Sequence, residues 1–156
     1  MKTTFINCRT EDKTSFRKEG REHLLSRAEA FDFWRQHGTE VNNPGSNEQS
    51  IIDRFESYGS FYDYGLSVDY VVPGTFNNQR EGYLRYHLSW GGPSEEVRFY
   101  YSSGAREAYK IEFVYMNWGT GVGFNVTEEK WARWLFNWFW ETDTLATKQR
   151  EAMEAN

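Results

Sequence analysis

The sequence predicts an α+β domain in which a twisted antiparallel sheet rich in aromatics is covered by a C-terminal helix carrying four tryptophans. Three observations predict it. Residues 66–115 alternate apolar and polar side chains with the period of two that a half-buried strand requires. Residues 130–141 repeat with the period of an α-helix. Between such segments stand Gly, Pro and Asn clusters that act as turns. A chain of 156 residues fits one domain, 1–156, with one hydrophobic core.

The first twenty residues mix charges without a period, so 1–20 is expected to be an irregular arm, with Phe5 and Ile6 pinning a short strand. Ser26 followed by Glu29 forms a capping box, Leu25 can staple the entry, and Gly38 supplies a left-handed stop. A helix from about Arg27 to His37 follows, with Ala30, Phe31 and Trp34 as its core face. Asn42-Asn43-Pro44-Gly45 is a turn, after which Ser46 or Asn47 can cap a second short helix through Ile51, Ile52 and Phe55 to Tyr58, closed by Gly59.

Four strands come next, and short turns join them into a meander. Leu66, Val68, Tyr70 and Val72 alternate with Ser67 and Asp69, and Leu84, Tyr86, Leu88 and Trp90 alternate with Arg85, His87 and Ser89. Gly91-Gly92-Pro93-Ser94 leads into Val97, Phe99 and Tyr101, whose opposite face carries Glu96, Arg98 and Tyr100. Ile111, Phe113 and Tyr115 supply the fourth strand, while Pro73-Gly74 and Asn77-Asn78 mark a longer exposed loop. Gly119-Thr120-Gly121-Val122-Gly123 lacks the Lys-Ser/Thr ending of a phosphate-binding loop and reads as a flexible or bulged connection. Thr127 is placed to cap the last helix, with Glu128 and Glu129 at its positive end. That helix reaches Glu141, and the polar residues 146–156 are expected to form a frayed helical tail.

Around the axis of this last helix, Trp131, Trp134, Leu135 and Trp138 make one stripe. Ala132, Phe136, Phe139 and Trp140 widen the apolar arc to roughly 240°, where about 100° covers one sheet face. Either the early helices cover the surplus, or part of it, Phe136 and Trp140 foremost, forms an exposed contact surface. In that second arrangement Trp131, Phe136 and Trp140, rimmed by Glu95 and Glu96, face a partner or a second copy of the chain in a homodimer.

The net charge of −5 argues against a general nucleic-acid binder and is too mild for a DNA mimic. Cys8 is the only cysteine, so no internal disulfide can form. With neither a secretory leader nor a membrane-spanning apolar run, a cytoplasmic location is expected, and the sequon Asn125-Val126-Thr127 is set aside. His23, His37 and His87 lack metal-ligand spacing, so no metal and no cofactor is expected. No nucleophile motif stands out, and Asp63, Asp69, Glu95, Glu96 and Glu112 show no convergence in sequence. Arg85, His87, Arg98 and Tyr100 share one polar strand face, which as an alternative could take a nucleotide or single-stranded nucleic acid.

The strings Asp63-Tyr64-Gly65-Leu66-Ser67-Val68-Asp69-Tyr70-Val71, Pro73-Gly74-Thr75-Phe76, Leu88-Ser89-Trp90-Gly91-Gly92-Pro93-Ser94 and Ile111-Glu112-Phe113 resemble a group of short proteins carried by plasmids and phages. The resemblance covers the C-terminal two-thirds of the chain and implies a mobile-element setting, without implying a role for any residue. Small accessory proteins in that setting often block host defence complexes. The expectation is therefore a non-enzymatic inhibitor of the anti-CRISPR or anti-restriction type, acting by protein contact.

Overall fold

A computed structural model describes residues 1–41 and 47–155. The fold is α+β, with one antiparallel sheet of six strands and four helices among the described residues. The strands are β1 (Thr3–Ile6), β2 (Ser67–Val71), β3 (Tyr83–Ser89), β4 (Ser94–Tyr100), β5 (Lys110–Asn117) and β6 (Thr120–Asn125), in the spatial order β1-β6-β5-β4-β3-β2. The helices are α1 (Lys13–His37), α2 (Gln49–Tyr58), α3 (Lys130–Glu141) and α4 (Thr144–Glu154).

The expected four-stranded meander is present as β2 to β5, and two further strands extend it. Gly119-Thr120-Gly121-Val122-Gly123 is not a bulged connection: Trp118 and Gly119, both at positive φ, form a tight hairpin tip, and Thr120 to Asn125 returns along β5. Its glycines lowered the apparent strand propensity, yet Val122 and Phe124 are fully inside the core. Nor is the N-terminal arm irregular. Its first residues pair with β6, Phe5 opposite Val122, and the remainder starts the long helix α1.

Helix α1 begins well before the expected Arg27, and Ser26 and Leu25 are exposed positions in its middle rather than a cap and a staple. Its inward seam runs through Phe16, Gly20, Leu24, Arg27, Phe31 and Trp34, with Phe16 and Arg27 half-buried. Polar and glycine members hid the seam from a hydrophobic-period reading. A Cβ at Gly20 would stand 2.7 Å from the Val122 side chain, so glycine lets α1 lie close on β6. Gly38 and Gly59 stop α1 and α2 at positive φ, with their amides donating to Trp34 and Phe55 carbonyls, as read from sequence. Helix α2 is capped by Glu48 rather than Asn47, while Ser46 and the expected turn at 42–45 lie outside the described residues.

Thr127 does not cap α3. Its hydroxyl accepts the Ile111 amide at 2.9 Å and donates to Asn125 at 2.7 Å, closing the start of β5, and Glu129 takes the cap position. The tail is not frayed either: Asp143 at φ 61 turns the chain and α4 runs to Glu154, with Leu145 buried. Helices α1, α3 and α4 all lie on one side of the sheet. There Phe136 and Phe139 of α3 meet Phe99, Phe139 also meets Tyr86, and Phe31 of α1 stacks on Trp131 with ring centres 5.5 Å apart.

The Trp helix is therefore mostly covered. Phe136, which the second of the two arrangements left on an open surface, is 3% exposed, and Trp131 is equally deep. Trp134 and Trp138 are half-buried against Phe61, whose segment caps the outer side of α3, and Trp140 lies half-buried under the Arg106 guanidinium at 4.5 Å. Covering the arc falls to α1 and the turn at Phe61–Asp63, with α2 held one step away through Phe33 and Phe55.

Candidate functional site

Opposite the helices, the second face of the sheet carries no helix among the described residues. Strand parity sends Asp69, Arg85, His87, Glu96, Arg98, Tyr100 and Glu112 there. Loop 72–82, between β2 and β3, folds over one end of it. Gln79 staples that loop by donating to the Val72 and Glu81 carbonyls and accepting the Phe76 amide. Beneath it Val71, Tyr83 and Tyr100 form a small apolar cluster of their own.

Between this loop and the ends of β1 and β5 lies a cleft of about 530 Å³. Its floor is Tyr83, Arg85, Glu96, Arg98 and Tyr100, with Phe76 and Arg80 on one rim and Met116 on the other. The charges on the floor are paired. Arg85 grips Asp69 with two bonds, at 3.0 and 2.7 Å, and Arg98 donates to Glu96 at 2.8 Å while lying over the Tyr83 ring. Burial alone would raise the Asp69 carboxyl, but the Arg85 bonds and charge outweigh it and hold it below its ordinary range. Burial also pushes the Tyr100 hydroxyl up to about 12, so at neutral pH it is uncharged. The floor thus offers hydrogen-bond donors beside acceptors, with little net charge.

Of the residues expected on a polar face, Arg85, Arg98 and Tyr100 meet in this cleft. His87 shares the face but is roofed by the Trp90 ring, stacked 4.1 Å away. Trp90 was expected to follow Leu84, Tyr86 and Leu88 into the core. A bulge sets Leu88 and Ser89 together against Glu95, which flips the parity and moves Trp90 to the other face. Burial and neighbouring Arg85 lower the pKa of His87, leaving a neutral imidazole at pH 7.

Glu95 and Glu96, read together as an acidic rim, are split by strand alternation and buried on opposite faces, at 4% and 3% exposure. Glu95 lies under α1. There Arg27 donates at 3.1 and 2.8 Å, Ser89 at 2.7 Å, and His23 lies 3.2 Å away. Neither glutamate rims an exposed aromatic surface, and with Trp131 and Phe136 in the core the surface expected on α3 reduces to part of Trp140.

The aromatics that do face solvent are elsewhere. Antiparallel pairing brings the β3–β4 and β5–β6 turns to the same end of the sheet, two strand spacings, or about 10 Å, apart. Trp90 at one is 62% exposed, and Trp118 at the other is 94% exposed. Trp118 also holds φ 54, in a turn position suited to Asn or Gly and costly for a bulky ring. Sequence reading missed this residue because Trp118-Gly119 lacks the Asn or Asp of the usual hairpin signal.

Among the described residues no three His, Cys, Asp or Glu side chains are placed to hold a metal ion, and no helix is long and apolar enough to cross a membrane. Compared with protein-family models, curated proteins and solved structures, the chain matches none of them.

Proposed function

We propose that the chain is a non-enzymatic binding protein that docks a protein partner on the open face and end of its sheet. The observation that carries this reading is Trp118, a nearly fully exposed indole in a strained backbone position. Neither fold stability nor solubility favours it there, whereas strain and exposure at one residue are what a contact site tolerates. Trp90, Phe76 and the mixed-charge cleft floor belong to the same surface, and aromatic anchors around paired Arg and carboxylate groups suit a polypeptide, which brings both donors and acceptors. Catalysis is not favoured by the groups on this face: Asp69 is held ionised by Arg85, and His87 is buried beneath Trp90. Tyr83 and Tyr100 are buried under loop 72–82, so they offer no stacking platform for single-stranded nucleic acid.

The resemblance to mobile-element proteins suggests the partner class, a host defence complex of the CRISPR or restriction type, met in the cytoplasm. Expressing the chain in a host with an active defence system should abolish protection against a challenge phage, and Trp118→Ala with Trp90→Ala should restore it at unchanged protein level. Unaltered inhibition by that double variant and by Phe76→Ala would refute the surface. A second copy of the chain could occupy the same face. A solution mass of one chain for the wild type excludes that homodimer.

A further inference from the structure

On the helix side of the sheet, far from the open face, a cleft of about 440 Å³ opens between α3, the β4–β5 loop and the end of α1. Four cations from three segments converge on it, Arg35, Arg106, Lys130 and Arg133, against the single carboxylate Glu107. That concentration is notable in a chain whose net charge is −5. Two of the four are partly committed: Arg35 donates to Asp32 at 2.9 Å, and Arg133 holds Glu128 and the Thr127 carbonyl. The other two are not. Among the described residues Arg106 meets only the Trp140 ring, and Lys130 has no carboxylate partner. Trp134, half-buried, forms an indole wall beside them.

Like charges gather at some cost unless an anion neutralises them. We infer that this cleft binds a small polyanionic ligand with a flat ring, of the nucleoside polyphosphate class, its phosphates on Lys130, Arg106, Arg35 and Arg133 and its base against Trp134. Lysine and arginine heads supply charge-assisted bonds to phosphate oxygens, and an indole face accepts any base. The volume of this open cleft lies in the range for small-molecule sites. The net charge of −5 disfavours a long nucleic-acid strand, whose further phosphates would meet no comparable excess of cations.

Calorimetric titration at low salt with ATP, inorganic tripolyphosphate and a single-stranded oligonucleotide tests the inference. ATP should bind more tightly than tripolyphosphate, with affinity falling as salt rises. Lys130→Ala with Arg106→Ala, both exposed and outside the core, should weaken ATP at least tenfold without moving the thermal midpoint. Trp134→Leu should weaken ATP and leave tripolyphosphate unchanged. Absence of ATP binding at millimolar concentration, or equal binding by the Lys130/Arg106 variant, would overturn the site. Equal affinity for ATP and tripolyphosphate would overturn the ring contact, and preference for the oligonucleotide would overturn the small-ligand class.

Discussion

The two faces of the sheet bury their strand residues by opposite means. On the covered face Val97, Phe99, Ile111, Phe113, Val122 and Phe124 pack against helix aromatics, and burial of apolar area is the main stabilising term. Its one carboxylate, Glu95, is surrounded by Arg27, Ser89 and His23. Among the described residues no helix lies on the other face to exclude water. It is closed instead by long side chains laid against each other: Arg85 on Asp69, Arg98 on Glu96 and Tyr83, and Trp90 over His87. The covered face can therefore give up a side chain only at the expense of the fold, while the solvent-facing members of the other, Trp90 and Asp69, can change with the fold kept. That asymmetry is why the open face is the better place for a variable contact.

The sharpest break of this comparison is a cavity under the helices. Trp131→Ala should cost about 3–5 kcal/mol, read from the denaturant midpoint at constant m-value. An equal loss from Trp90→Ala would erase the distinction between the faces. Next in size are the charges. Glu95→Ala strands Arg27 under α1, and breaking such a buried pair costs about 3–5 kcal/mol, most of it removed if Arg27→Met is added. Asp69→Ala removes the half-exposed partner of Arg85 and should cost about 1 kcal/mol or less.

A pH series separates the faces further. His87 binds its proton less readily when folded, so the unfolded chain takes up more protons below its ordinary value of about 6.5. Stability should fall as pH drops from 7 through 6, and His87→Asn should flatten that slope. Asp69 and Glu95 are both held below their ordinary range. Arg85 holds Asp69, and Arg27 and Ser89 hold Glu95, in each case against the opposing effect of burial. Their contribution is present above about pH 5 and is lost as pH falls through the folded values. The smallest effect has the opposite sign. Trp118→Asn relieves the turn, and should raise stability by up to about 1 kcal/mol while removing partner binding.

Much of the fold was legible in local patterns. Period-two alternation placed β2 to β5, the glycine stops ended α1 and α2 where expected, and the tryptophan period located α3. What escaped were segments whose local signal was cancelled by residues serving a distant partner. Gly121 and Gly123 lie within β6 opposite Met116 and Val114, and His23 and Arg27 interrupt the apolar seam of α1 because Glu95 receives them. The candidate surfaces were less legible still. Arg85, Arg98 and Tyr100 share a strand face by simple alternation, whereas Arg35, Arg106 and Lys130 come together only when α1, the β4–β5 loop and α3 are packed.

The aromatic sheet and its four-tryptophan helix were determined by sequence alone, because hydrophobic period is a local property read within one turn or two residues. Which tryptophans remain in view was decided only by tertiary structure. A single bulge at Leu88 and Ser89 reverses the parity of Trp90, and a two-residue turn puts Trp118 in water, while α1 and the segment around Phe61 close over the helix. Exposure depends on what arrives from elsewhere in the chain, and no local pattern carries that information.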